Sequence, residues 1–108
     1  MRRLLPLLFA VALPAFAAEP LATLSEQSGF TRTGRYQEVI ELCDAFASRY
    51  PKAVRCLDFG TTPQGRPMKA LVASTAGALD PATARQRGLP VVLVQGGIHA
   101  GEIDGKDA

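Results

Sequence analysis

The clearest periodic pattern in the chain runs from Arg35 to Tyr50 and predicts an amphipathic helix. Its apolar side chains recur every three or four residues, which places them on one face of a helix. They are Tyr36, Val39, Ile40, Cys43, Phe46, Ala47 and Tyr50. Thr33 is the expected N-cap, and Pro51 disfavours helical backbone at Tyr50, so the helix should end there. We interpret the apolar stripe as ordinary core.

Two short segments after this helix predict a β-hairpin. Val54–Phe59 partly alternates between apolar and polar residues, and Met68–Ser74 is rich in apolar residues, so each is expected to form a strand. Residues 61–65 between them read Thr-Thr-Pro-Gln-Gly, which is typical of a turn. The two strands should therefore pair antiparallel.

The segment beyond the hairpin predicts a short helix and then a buried strand. Asp80 followed by Pro81 is typical of a helix start, and Gly88 of a helix end, so Asp80–Arg87 should form a short helical turn. Leu89–Gln95 is almost continuously apolar, which is typical of a strand covered on both faces. A single amphipathic helix cannot cover both faces, so we expect further layers of structure on each side of this strand.

The beginning of the chain has the three parts of a secretory signal peptide. Met1-Arg2-Arg3 is positively charged, Leu4–Phe16 is apolar, and Ala15-Phe16-Ala17 suits cleavage before the next residue. The apolar run is too short for a typical membrane span. We therefore predict that residues 1–17 are a signal peptide, that the product is periplasmic or extracellular, and that it has no stable membrane anchor. Residues 18–34 contain few large apolar side chains and are expected to form an extended arm.

The charge balance argues against nucleic acid as a partner. Without Arg2 and Arg3 the chain would carry ten basic and ten acidic residues, and it contains no block of basic residues. A neutral chain without a basic patch offers little attraction to phosphate backbones or to anionic membranes.

The two cysteines, Cys43 and Cys56, leave two interpretations open. In an oxidising compartment they could form a disulfide, which would close a loop of about 14 residues and contribute roughly 3 kcal/mol. We predict the disulfide; the alternative is two separate buried thiols, because cysteine is common in protein cores.

The only histidine of the sequence, His99, lies three residues before Glu102. The pair follows the apolar run and Gly96-Gly97, at the carboxyl end of a strand, where ligand sites of open α/β sheets collect. A spacing of three can bring an imidazole and a carboxylate to one ion, and both are good zinc ligands. The alternative is that His99 is a surface or capping residue and that Glu102 interacts with a helix dipole.

Two stretches in this order resemble the zinc carboxypeptidases, the metallocarboxypeptidases related to carboxypeptidases A and B. They are "GTTPQGRPMKALVAS" (60–74) and "PVVLVQGGIHAGEIDGKDA" (90–108), and the resemblance covers about residues 33–108. The matching positions include Tyr36, Tyr50-Pro51, Gly60, Gly65-Arg66-Pro67, Gly97, His99 and Glu102. The resemblance implies that His99 and Glu102 are the first two ligands of Zn²⁺.

Other functional residues of that family have no counterpart here. The third histidine ligand, the arginines that bind the substrate carboxylate, the closing tyrosine and the glutamate base do not match any position, so we identify no catalytic residue. Gly101 and Ile103 replace the usual Arg and Trp. We interpret Arg66 as supporting the turn, and Asp104 and Lys106 as a solvated or supporting surface. Asp104 and Asp107 are carboxylates, but nothing indicates a role as base.

The resemblance also implies a fold and a reaction. Residues 35–108 would be the N-terminal portion of an α/β/α sandwich with a mixed central sheet, truncated here. Zinc-activated water would hydrolyse a peptide or protein substrate, and we expect the fragment alone to be poorly folded and inactive. Two alternatives remain: a zinc deacylase similar to aspartoacylase or succinylglutamate desuccinylase, and a non-catalytic exported module.

Overall fold

A computed structural model describes residues 21–99, 101–103 and 105 of the chain. Its elements are α1 (Leu24–Gln27), α2 (Tyr36–Arg49), β1 (Val54–Thr61), β2 (Pro67–Ala73) and α3 (Pro81–Gln86). The described residues therefore form a small α/β arrangement in which three helices accompany a two-stranded antiparallel sheet. No helix in this part of the chain is long and apolar enough to cross a membrane.

The amphipathic helix predicted for residues 35–50 is confirmed as α2, but its N-cap was predicted wrongly. The N-cap is Arg35, with extended backbone and no capping hydrogen bond from its side chain, and not Thr33. The first turn instead contains Glu38, whose carboxylate accepts a hydrogen bond from the backbone N–H of Leu24 at 2.5 Å. A Cβ atom at Gly34 would overlap that carboxylate, so a larger residue there would displace the Glu38 side chain from this position.

The predicted extended arm contains one helical turn, α1. Thr23 and Glu26 form a capping box, in which the Thr23 side chain accepts from the Glu26 N–H and the Glu26 carboxylate accepts from the Thr23 N–H at 2.7 Å. This Thr-x-x-Glu spacing is visible in the sequence and stabilises even a short turn. The arm is tied to α2 through the bond from Leu24 to Glu38.

The predicted antiparallel hairpin is confirmed. Val54 pairs with Ala73 and Asp58 with Lys69, and the register shifts at a bulge between Asp58 and Gly60. The turn beyond the bulge has its own hydrogen bonds, since the Thr62 N–H donates to the Arg66 carbonyl at 2.8 Å.

The short helix predicted after the hairpin is confirmed as α3. Asp80 is its N-cap and accepts a hydrogen bond from the Thr83 N–H at 2.8 Å, while Pro81 occupies the first turn. Gly88, with φ of 62°, follows the end of the helix in the left-handed region that favours glycine.

The strand predicted for Leu89–Gln95 is not formed, and the prediction that it is covered on both faces is wrong for this structure. Val91, Val92, Leu93 and Val94 are 79 to 89% exposed. A strand exists only when a neighbouring strand satisfies its N–H and C=O groups, and β1 and β2 pair only with each other in the described part of the chain. The apolar composition indicates a strong preference for burial, but composition alone does not supply the neighbouring strand that this segment needs.

Candidate functional site

A tight loop follows the exposed apolar segment and contains the predicted metal ligands. Gly97 has φ of 66° and Gly101 has φ of 91°, which are conformations that favour glycine. The loop brings the backbones of Gly96 and Gly105 together, so a Cβ atom on Gly96 would overlap the Cα of Gly105. The Glu102 N–H donates to the His99 carbonyl at 3.2 Å, which closes a turn between the two residues.

This turn brings the side chains of His99 and Glu102 together. The Nδ1 atom of His99 lies 2.7 Å from Oε1 of Glu102, and the His99 backbone N–H donates to Oε2 at 3.3 Å. Both oxygens of the carboxylate therefore face His99. The two side chains are exposed, with 74% of the His99 side chain and 52% of the Glu102 side chain accessible to solvent.

The donor atoms of this pair fit part of a zinc site. Zinc prefers imidazole nitrogen, thiolate sulfur and carboxylate oxygen, and protein sites normally supply at least three such ligands. Nδ1 of His99 and the carboxylate of Glu102 converge on one small region, as two ligands of one ion must. The described residues hold no group of three His, Cys, Asp or Glu side chains that could bind a metal ion. The pair is therefore a partial donor set.

The other predicted residues lie elsewhere in the chain or outside the described residues. Asp104, Lys106 and Asp107 are outside them. Arg66 is exposed at the end of the hairpin turn, where its guanidinium carbon lies 5.4 Å from the centre of the Tyr36 ring. That position joins the turn to the start of α2.

Cys43 and Cys56 are joined by a disulfide, with their Cα atoms 5.4 Å apart. The bond links α2 to β1. Cys43 is buried, and it is the only buried residue of α2.

A cluster of charges that was not predicted from the sequence lies beside this disulfide. Nζ of Lys69 lies 3.1 Å from Asp58 on the facing strand and 3.5 Å from Asp44 on α2. The hydrogen bond to Asp58, together with the charge of both carboxylates, raises the pKa of Lys69 above its ordinary value. The signal that could have revealed this cluster is the hairpin register, which places Lys69 opposite Asp58.

A cavity of about 690 Å³ lies between the N-terminal arm and α2. Its lining includes Leu21, Leu24 and Leu42, and neither His99 nor Glu102 contributes to it. The cavity and the predicted metal ligands are therefore separate features.

A comparison with known protein families shows which family the chain belongs to. The profile of the zinc carboxypeptidases matches residues 39–108, which is more than half of the chain and includes His99 and Glu102. The chain belongs to the zinc carboxypeptidase family. No curated protein and no solved structure matches the chain significantly.

Membership of the zinc carboxypeptidase family indicates the general function of the chain. It supports a metallocarboxypeptidase-like function, and therefore a hydrolase, and the family normally binds zinc. The match begins within α2, six residues after the start of the resemblance expected from the sequence. It extends through the hairpin and the His99 loop, so both motifs that suggested the family lie inside it.

Proposed function

We propose that His99 and Glu102 are two protein ligands of the zinc ion of a metallocarboxypeptidase, whose zinc-activated water hydrolyses a peptide bond. The observation that carries this proposal is the 2.7 Å approach of Nδ1 of His99 to Oε1 of Glu102, in a loop within the family match. The bound ion would lower the pKa of its water and polarise the scissile carbonyl.

The residues of this chain would act by holding and orienting the ligands. Nδ1 of His99 lies within hydrogen-bond distance of the Glu102 carboxylate, and a histidine binds a metal ion only through a nitrogen without a proton, so binding through Nδ1 would replace this hydrogen bond with a bond to the ion. The backbone N–H of His99 donates to Oε2 of Glu102, so one carboxylate oxygen is oriented by the loop itself. Gly96 permits the close approach of the loop backbones that keeps both side chains on one turn.

We further propose that residues 1–108 alone bind zinc weakly and do not hydrolyse peptides. The sequence contains a single histidine, so it does not include a third ligand of the kind expected for the family. Neither the base nor the carboxylate-binding arginines match a residue here. In a complete α/β/α sandwich, Leu89–Gln95 would be a strand of the mixed sheet, and its exposed valines would be covered.

We also propose that the protein is exported, with residues 1–17 acting as a signal peptide. The charged and apolar parts of this segment support the proposal. The disulfide between Cys43 and Cys56 supports it independently, because disulfides persist mainly in oxidising compartments.

Zinc titration calorimetry on the purified chain tests the ligand assignment. We expect weak binding by the wild type, a loss of about tenfold or more in affinity for His99→Ala, and a similar loss for Glu102→Gln. Glu41→Gln, an exposed substitution on α2, is the matched control and should leave the affinity unchanged. Zinc binding that survives His99→Ala would contradict the assignment.

A second measurement tests the proposed inactivity of the chain alone. The zinc-loaded chain is incubated with peptides that carry a free C-terminal carboxylate, and release of the last residue is followed by mass spectrometry. We expect no release above a zinc-only control. Turnover that disappears with His99→Ala would show that the chain is active by itself.

A further inference from the structure

We propose that the Cys43–Cys56 disulfide is a redox-sensitive link on which the packing of α2 against the β1–β2 hairpin depends. In its oxidised form the link holds the helix on the sheet, and its reduction releases the helix. This inference concerns the conformation of the chain and does not rest on the proposed zinc chemistry.

The first observation is the position of the bond. It joins the middle of α2, at Cys43, to the third residue of β1, at Cys56. Cys43 is the only buried residue of a helix of 14 residues, and its Sγ also lies 3.8 Å from the carbonyl of Ala70 on β2. The most intimate contact between the helix and the hairpin is therefore the disulfide itself.

The second observation is the weakness of the ion pair and the hydrogen bond that also join α2 to the hairpin. The pair between Lys69 and Asp44 is long, at 3.5 Å, and 60% of the Asp44 side chain is exposed. The hydroxyl of Tyr36 donates to the Pro67 carbonyl at 2.7 Å, but this bond too is exposed. Exposed ion pairs and hydrogen bonds stabilise only slightly because water competes for both partners.

The third observation is the small amount of buried apolar surface. In the described part of the chain the buried apolar residues are Cys43, Ala78 and Ala84, and only Cys43 belongs to α2 or the hairpin. An isolated helix of this length is marginal in water, and so is an isolated two-stranded hairpin. We therefore expect the half-buried contacts that remain between α2 and the hairpin to hold the two elements together only weakly without the covalent link.

The chemistry needs an external dithiol, such as dithiothreitol. One of its thiolates attacks a sulfur of the disulfide and forms a mixed disulfide, and its second thiol then displaces the remaining cysteine. The reductant ends as a cyclic disulfide, and Cys43 and Cys56 each end as a thiol. In a reducing compartment the same exchange with cellular thiols would keep α2 unpacked. Exchange of the two thiols with the disulfide of a small molecule or an oxidoreductase would re-form the Cys43–Cys56 bond, and that oxidant would end as two thiols.

Amide hydrogen exchange of the full chain, measured by mass spectrometry, tests the proposal. With the disulfide intact, the amides of α2 should be protected, and dithiothreitol should increase their exchange rate by about tenfold or more. The variant Cys43→Ser with Cys56→Ser should exchange like the reduced wild type and should not respond to dithiothreitol. Alkylation should modify neither cysteine before reduction and both afterwards.

Three results would overturn the proposal. One is a change of less than about twofold in α2 exchange on reduction. Another is α2 that is already unprotected in the oxidised chain. The last is alkylation of both cysteines in the chain purified without reductant. The variant Cys43→Ala with Cys56→Ala is a control for the serine variant, because it removes the disulfide without placing a hydroxyl at the buried position of Cys43.

Discussion

Replacement of both Cys43 and Cys56 by alanine will lower the free energy of unfolding by about 3 kcal/mol. The bond joins residues separated by 13 positions, so it closes a loop of about 14 residues in the unfolded chain. In the chain-entropy model, opening a loop of this size gives the unfolded ensemble about 10 cal/mol/K of additional entropy, which is the quoted free energy at 25 °C. Alanine fits the space of the half-cystine and adds no unsatisfied polar group.

Urea denaturation followed by far-ultraviolet circular dichroism measures this difference. With a dependence on urea of about 1 to 1.5 kcal/mol/M, typical of a small chain, the midpoint should fall by about 2 M or more. Dithiothreitol should shift the wild-type midpoint by the same amount and leave the variant unaffected. If the variant is unfolded without urea, a titration with trimethylamine N-oxide restores a transition from which its stability is obtained.

A midpoint shift below about 0.5 M would refute the loop-entropy reasoning, provided that mass spectrometry shows the disulfide to be present in the wild type. Such a result would mean that α2 is held on the hairpin by contacts other than the covalent link.

Three further predictions concern single positions. Gly96→Ala should weaken zinc binding by about tenfold in calorimetry, because the Cβ of the alanine would overlap the backbone of Gly105 and push His99 and Glu102 apart. An unchanged affinity would contradict the loop geometry. Hydrogen bonds from the Thr83 hydroxyl and N–H lower the pKa of Asp80. The stabilisation of α3 should therefore be complete above the ordinary pKa of about 4 and be lost as the pH falls through the lowered value, and Asp80→Asn should remove this pH dependence of α3 amide exchange. The pKa of Lys69 is raised, so the contribution of its charge to the free energy of unfolding should be complete below pH 10.5. This contribution should be lost as the pH rises through the raised pKa. Lys69→Met should therefore lower the urea midpoint at neutral pH but not after deprotonation, and an equal difference at both pH values would contradict the role of its charge.

Local sequence was sufficient for the elements that carry their own signals. Asp80 and Pro81 start α3 through a side-chain cap and a preset φ angle, and both effects act within a few residues. The apolar spacing of α2 and the turn residues of the hairpin are equally local, and all three elements were predicted. The Thr23 capping box is local as well, and α1 could have been predicted from it.

Where the local signals were ambiguous, contacts between distant residues determined the boundary of the element. Thr33 was a reasonable N-cap by residue type, but Glu38 turns its carboxylate towards Leu24 on the preceding arm, and the helix begins after Arg35. The preference of one residue for a cap is small, so a single contact from another segment can shift the boundary.

The apolar run and the loop after it show the same division between local and long-range causes. Composition establishes that residues 91–94 are suited to a buried strand, but only a neighbouring strand can satisfy their backbone groups, and the described residues supply none. The spacing of His99 and Glu102 makes their approach possible, and the turn between Gly97 and Gly101 produces it. Residue types and short spacings act locally, so they determine which chemistry is available, whereas strand pairing and burial depend on contacts between distant segments and exist only in the folded chain.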